Sequence, residues 1–246
     1  MDYGNIAQLM VNGKESKKSG NNVITLYHGS SHEVGQPVFG KGKRDNDYGL
    51  GFYTTEDKDL AKEWAGLYGN YQHCVLNTYT IDTTNLNILR LNDLDYLERL
   101  SILINNRKAD AITNANDDLI LEYIDILNKT KYIDLSQYDC VIGWRADDSY
   151  FSFVEDYVFG RISTGKFIKA IKLGRLGLQF ACLSKKAFET IKFIGAEQVN
   201  YSIWSQKAKD RDRRARSNYS RIKSDHSSLF SRQFMDEIRD LSKEVN

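Results

Sequence analysis

The sequence predicts an α+β protein: short strands with helices between them, a helical insertion, and a helical C-terminal tail. Three observations carry this. Runs rich in β-branched and aromatic residues are short and bounded by Gly, Asn and Asp. Helical patterns fall between them without the regular strand–helix–strand alternation of a parallel sheet. A Leu/Ile-rich stretch at helical spacing, residues 86–131, interrupts the strands. The 246 residues are 41% hydrophobic and 12% aromatic, enough apolar surface for one sizeable core and more than a disordered chain carries.

Residues 1–22 read as a polar leader with a short helical pattern near Ile6–Val11; the charged-then-apolar order of a signal peptide is missing. NVITLYHGS (22–30) is a strand that stops at Gly29. Residues 31–51 form a loop punctuated by Gly35, Pro37, Gly40, Gly42, Gly49 and Gly51. Loops of about twenty residues inside a compact domain are usually functional or mobile. FYTTED gives a short strand, with Thr55 as N-cap of a helix from Glu56 to Gly69. CVLNTYTID (74–82) alternates as a strand, and 86–131 holds two or three amphipathic helices.

YDCVIGWRADD (138–148) reads as a buried strand and a turn, followed by helices in SYFSFVEDYVFGRIS and KFIKAIKLGR. LQFACLS (178–184) is a strand, KKAFETIKFIG a short helix, and QVNYSIW (198–204) a final strand. Beyond Trp204 the composition turns to Lys, Arg, Asp and Ser, with an amphipathic stretch at 227–245. The expected organisation is a leader at 1–22, a domain at 23–204 with its insertion at 86–131, and a basic amphipathic tail at 205–246.

Net charge is +1, which argues against a global field for nucleic acid. The tail is different, with 11 Lys/Arg against 7 Asp/Glu in residues 205–246. Its RDRRARSNYSRIK segment suits phosphates, an acidic protein partner, or simply a solvated helix face. Cys74, Cys140 and Cys182 are odd in number and distant in sequence, with no CxxC spacing. They predict buried thiols in a reducing cytosol, with neither zinc nor a disulfide framework. No apolar run approaches the roughly 18–20 residues of a membrane span. The expectation is a cytoplasmic protein that needs no metal and no membrane.

Three blocks can carry chemistry. In LYHGS a histidine ends a strand and two small residues follow; Gly29 lets a second molecule approach the backbone, and His28 can bond a hydroxyl. A strand-end histidine tied to backbone would look the same. In DYGLGFYTTEDKDLAKEWA, Tyr53 could stack on a cationic ring, or be an ordinary core aromatic. In VIGWRADDSYF, Arg145, Asp147 and Asp148 form a charged knot. It is fit for an Arg–carboxylate brace, a helix cap or acid/base chemistry. GKGKRDNDYG lacks the Lys-Ser/Thr ending of a phosphate-binding loop, and no helix directly follows GLG.

Taken together and in order, YHGS, GFYTTED with LAKEWA, and a later strand opening with Gln or Glu resemble the His-Tyr-Glu/Asp/Gln clade of ADP-ribosyltransferases. That group includes poly-ADP-ribose polymerases and diphtheria-type toxins. More narrowly, the string through RADDSYF and LGLQ is similar to a bacterial family of domains of unknown function within that superfamily, found near small antitoxin-like genes. The resemblance covers roughly residues 23–200 and implies a split β-sheet core gripping NAD as co-substrate. It implies that His28 holds the adenosine-side ribose, that the Gly29 backbone grips the nicotinamide amide, and that Tyr53 stacks on nicotinamide. Gln179 takes the third position, on the other ribose, with Glu197 and Gln198 as the alternative. Ser30, Thr54, Lys43 and Arg44 complete the expected NAD-contacting set, the loop 31–51 with Lys41 lying over the pyrophosphate.

Glutamine cannot accept a proton, so Gln179 implies transfer of a single ADP-ribose unit, any base coming from Asp147, Asp148 or the target. The implied protein is a mono-ADP-ribosyltransferase toxin of a toxin–antitoxin or phage-defence locus. Its partners are a protein or nucleic-acid acceptor and a cognate antitoxin. An NAD glycohydrolase on the same fold and a non-catalytic binding module are the alternatives.

Overall fold

The computed structural model describes residues 22–107, 112, 117–145, 148–171, 177–225 and 232–245. Among these the chain is an α+β protein with two open sheets and eight α-helices. The first sheet has three antiparallel strands in the order β1 (Val23–Ser30), β3 (Val75–Asp82), β7 (Ile191–Gln198). The second has four, ordered β2 (Phe52–Thr54), β6 (Leu178–Cys182), β5 (Cys140–Trp144), β4 (Ile88–Arg90), with only β4 and β5 parallel.

The period-2 alternation of the strands decides what each face buries. Leu26, Tyr79 and Ile81 of the first sheet meet Cys140, Ile142, Phe180 and Cys182 of the second in a shared core. The other face of the second sheet carries Val141 and Ala181, covered by Tyr48, Leu91 and Ile102. Gln179 and Tyr53 lie on this second face, since Gln179 is two residues from Ala181 and Tyr53 sits opposite Ala181 in the ladder.

Helix α1 (Lys58–Tyr68) lies against β1, and the close approach is made by glycine: a β-carbon at Gly29 would sit 1.8 Å from the Ala61 carbonyl oxygen. The helix is capped by Asp57, whose carboxylate accepts from Asp59 N and Leu60 N, and not by the expected Thr55. Thr55 is engaged in a bridge to Tyr27, and its hydroxyl donates to Leu178 O.

The remaining helices are α2 (Tyr96–Asn106), α3 (Asp118–Lys131), α4 (Asp148–Val158), α5 (Thr164–Ala170), α6 (Lys185–Thr190), α7 (Tyr201–Ser224) and α8 (Phe234–Val245). All but α6 bury side chains in one helical core around Leu100, Leu127, Phe153, Tyr157, Phe167 and Phe234. Among the described residues no helix is long and apolar enough to cross a membrane.

Three further expectations are corrected. Ile88–Arg90, inside the stretch read as helical, is a strand because it pairs in parallel with β5. The helix expected in KKAFETIKFIG ends at Thr190, and Ile191–Gln198 forms β7 against β3. QVNYSIW is no strand of its own: Gln198 closes β7, Asn200 caps α7, accepting from Ile203 N, and one helix runs through residue 204. The cysteines are free and buried, yet Cys140 and Cys182 stand directly opposite each other across β5 and β6. The leader at 1–21 lies outside the described residues.

Candidate functional site

The two sheets come together at one edge and then part. Tyr27 and Thr55 exchange backbone hydrogen bonds at 2.8 and 2.9 Å, an isolated antiparallel bridge between β1 and β2. A continuing ladder would next pair Gly29 with Tyr53. Instead the His28 ring takes the Tyr53 carbonyl, Nδ1 to oxygen 2.8 Å. A carbonyl cannot donate, so Nδ1 carries the proton. Burial lowers the His28 pKa, outweighing the opposing pull of this bond, so the ring is neutral and Nε2 is a bare acceptor. Strand alternation leaves the N–H and C=O of Gly29 directed at the gap where the sheets separate.

That gap opens into a cavity of about 910 Å³. His28, Gly29 and Ser30 from β1, Phe52 and Tyr53 from β2, and Gln179 from β6 all line it. Tyr53 is fixed at its far end, its hydroxyl donating to Gly49 O at 2.7 Å and accepting from Tyr48 N at 3.0 Å. Gly49 makes that turn possible with φ +76°. Burial raises the Tyr53 pKa, so the phenol stays protonated.

The loop 31–51 forms one wall. It is pinned by Asn77, fully buried on β3, whose Oδ1 accepts from Val34 N at 2.8 Å and whose Nδ2 donates to Ser30 Oγ at 3.0 Å. Gln36 Nε2 adds a bond to Ile191 O at 2.9 Å, and Tyr79 OH donates to Val34 O. Lys41 and Lys43 line the cavity; Arg44 is exposed and does not. Ser30 is in the wall, but its hydroxyl already donates to His32 O. Thr54 does not line the cavity: it is fully buried and donates to Phe180 O at 2.8 Å, joining β2 to β6.

Of the candidates for the third position, Gln179 is brought to the cavity. Glu197 and Gln198 are not; Glu197 is exposed in an ion pair with Lys58 at 3.0 Å, and Gln198 Nε2 donates to Gln72 O. Arg145 lines the opposite wall, where its Nη2 donates to Tyr68 OH at 2.9 Å and its guanidinium lies 5.4 Å from the Trp64 ring centroid. Asp147 and the side chain of Asp148 lie outside the described residues; Asp148 opens α4.

The sequence reading missed a cluster beside Gln179. Asp47, 6% exposed, accepts from Gln179 Nε2 and from Arg107 Nη1, each at 2.8 Å. Next to it Tyr48 donates to Trp144 O at 2.8 Å, and burial, followed by the Asp47 charge, raises its pKa well above the phenol range. Gly143 stands opposite Gln179 in the ladder, and a β-carbon there would lie 2.5 Å from the Tyr48 hydroxyl. Only the glycine-rich NDYG string hinted at this turn, and nothing in it points to Arg107 sixty positions on. Among the described residues no three His, Cys, Asp or Glu side chains form a metal-holding group.

Comparison with known proteins gives one family. A model described as protein of unknown function, DUF3990, matches residues 24–193, and the chain belongs to that family. No curated protein and no solved structure matches.

Proposed function

We propose that the chain is an NAD-dependent mono-ADP-ribosyltransferase on the split-sheet core of that superfamily. The observation that carries the reading is the convergence of His28, Tyr53 and Gln179, from three strands of two sheets, on one cavity where the sheets part. The residues fit the co-substrate. The volume of about 910 Å³ is at the upper end of ligand pockets, and suits an extended dinucleotide. His28 Nε2 is an open acceptor for a ribose hydroxyl, and Gly29 offers an N–H and a C=O to a carboxamide. Tyr53 presents an immobilised ring for stacking, and Lys41 and Lys43 bring positive charge to the wall for phosphates.

Bound NAD would supply an electrophilic ribose carbon whose bond to nicotinamide breaks with oxocarbenium-like charge. The work of the chain is to hold the ring, brace the ribose hydroxyls and exclude water, contacts worth most where charge develops. Gln179 positions a hydroxyl without taking a proton, which favours transfer of one unit over chain growth. The acceptor is a macromolecule, protein or nucleic acid. By analogy with the toxin families it resembles, the chain acts in the cytoplasm as a toxin with an antitoxin partner.

The test is incubation of the purified chain with adenine-labelled NAD and bacterial lysate, followed by protease or nuclease. Label in a macromolecular band that His28→Ala and Tyr53→Ala abolish supports the transferase. Free ADP-ribose as the sole product would replace it with a glycohydrolase, and untouched NAD would overturn both.

A further inference from the structure

An amide has a donor end and an acceptor end, and its surroundings decide which way it points. At Gln179 the partner of the amide is an acceptor, the Asp47 carboxylate. Asp47 Oδ2 lies 2.8 Å from Nε2, and Asp47 is held as a carboxylate by Arg107 on its other oxygen. The Tyr48 hydroxyl, next in the chain to Asp47, gives its proton to Trp144 O. The nitrogen is therefore directed at Asp47. The oxygen Oε1 has no partner among the described residues, although Gln179 is 3% exposed and lines the cavity.

We infer that Asp47 is a positioning residue of the site: it orients the Gln179 amide so that its carbonyl oxygen is left for the ligand, and it makes glutamine, not glutamate, the working residue at 179. The second half follows from charge. A glutamate at 179 would place a second carboxylate at hydrogen-bonding distance from Asp47, and two carboxylates that close cannot both ionise. Protonated, such a glutamic acid would imitate glutamine, its O–H donating to Asp47 and its C=O left open. Ionised, it would be repelled. The ligand named here rests on the NAD reading; the orientation of the amide does not.

The experiment compares wild type, Gln179→Glu, Asp47→Asn and the double variant by NAD affinity and by melting temperature from pH 5 to 8. In Gln179→Glu the shared proton raises a folded-state carboxyl pKa above its unfolded value, so stability is present at low pH and lost as pH rises. We expect its melting temperature to fall toward pH 8 relative to wild type, with NAD affinity about tenfold weaker there and recovered near pH 5. Adding Asp47→Asn should remove both pH dependences, a rescue that a merely structural Asp47 would not give. Asp47→Asn alone should weaken NAD about tenfold, because an asparagine no longer dictates the orientation of its neighbour. A Gln179→Glu melting profile parallel to wild type, or no rescue by the second substitution, would overturn the proposal. If wild type binds no NAD the co-substrate reading fails, and the melting profiles alone still decide the role of Asp47.

Discussion

The helical layer and the cavity both bury carboxylates, and they complete them differently. In the helical layer Asp156 accepts from Tyr219 OH and Lys223 Nζ, each at 2.6 Å, and from Arg161 Nη1 at 3.2 Å. Glu63 on α1 takes Arg211 of α7 in a two-pronged pair at 2.6 and 2.7 Å. Both clamps tie α7 onto the rest of the molecule. In the cavity Asp47 is matched just as fully, but beside it His28 Nε2 and Gln179 Oε1 are left as acceptors. These two carboxylates are thus fully paired where they hold helices together. Acceptors are left open where two sheets part, at a cost that a ligand can repay.

The largest expected effect is on the helical side. Arg211→Ala leaves Glu63 buried and uncompensated, so urea unfolding should show a loss of about 3–5 kcal/mol. NAD affinity of the folded fraction should be unchanged. His28→Ala is the converse: turnover of NAD should fall roughly 100-fold, about 2.7 kcal/mol in barrier. The urea midpoint should scarcely move, and a stability loss equal to that of Arg211→Ala would make His28 a structural residue.

Gly29→Ala tests the place where the two regions touch. Its methyl would meet the Ala61 carbonyl, and the clash should cost about 1–3 kcal/mol and weaken NAD binding together, since β1 must shift. Unchanged stability would show that α1 adapts.

The smallest effects are with pH. Burial raises the Asp156 pKa, but Lys223, Tyr219 and Arg161 outweigh it and lower it overall. A lowered carboxyl contributes stability above its unfolded pKa that is lost as pH falls through the folded one. The helical layer should therefore weaken below about pH 4, less steeply in Lys223→Met, as followed by thermal melts in acid. His28 is lowered too, so its acceptor Nε2 should persist below pH 6.5, and NAD affinity should be flat from pH 8 to 6.5.

Where a segment's neighbours in sequence also set its environment, the chain could be read directly. Val23–Ser30, Val75–Asp82 and Leu178–Cys182 are strands because β-branched and aromatic residues alternate and turn residues bound them. The LYHGS and GFYTTED blocks were legible for the same reason, each being a strand end with small residues beside an aromatic or histidine. Ile88–Arg90 was not, since three residues show no period and only the partner strand decides. Nor was the start of α7, where Tyr, Ile and Trp suggest a strand and the Asn200 cap decides otherwise.

The sequence by itself determined the α+β class and the main strands, because hydrophobic period and turn chemistry are local. The family resemblance put Gln179 first for one role, with Glu197 and Gln198 as the alternative. Only the tertiary structure separates them in space: β6 pairs with β2 and carries Gln179 to the cavity, while β7 lies at the far side of the other sheet and leaves Glu197 with Lys58. Asp47 and Arg107 acquired their place the same way. Their partners lie sixty and more residues away, and an ion pair or an amide orientation exists only once the chain has brought those distant charges within 3 Å.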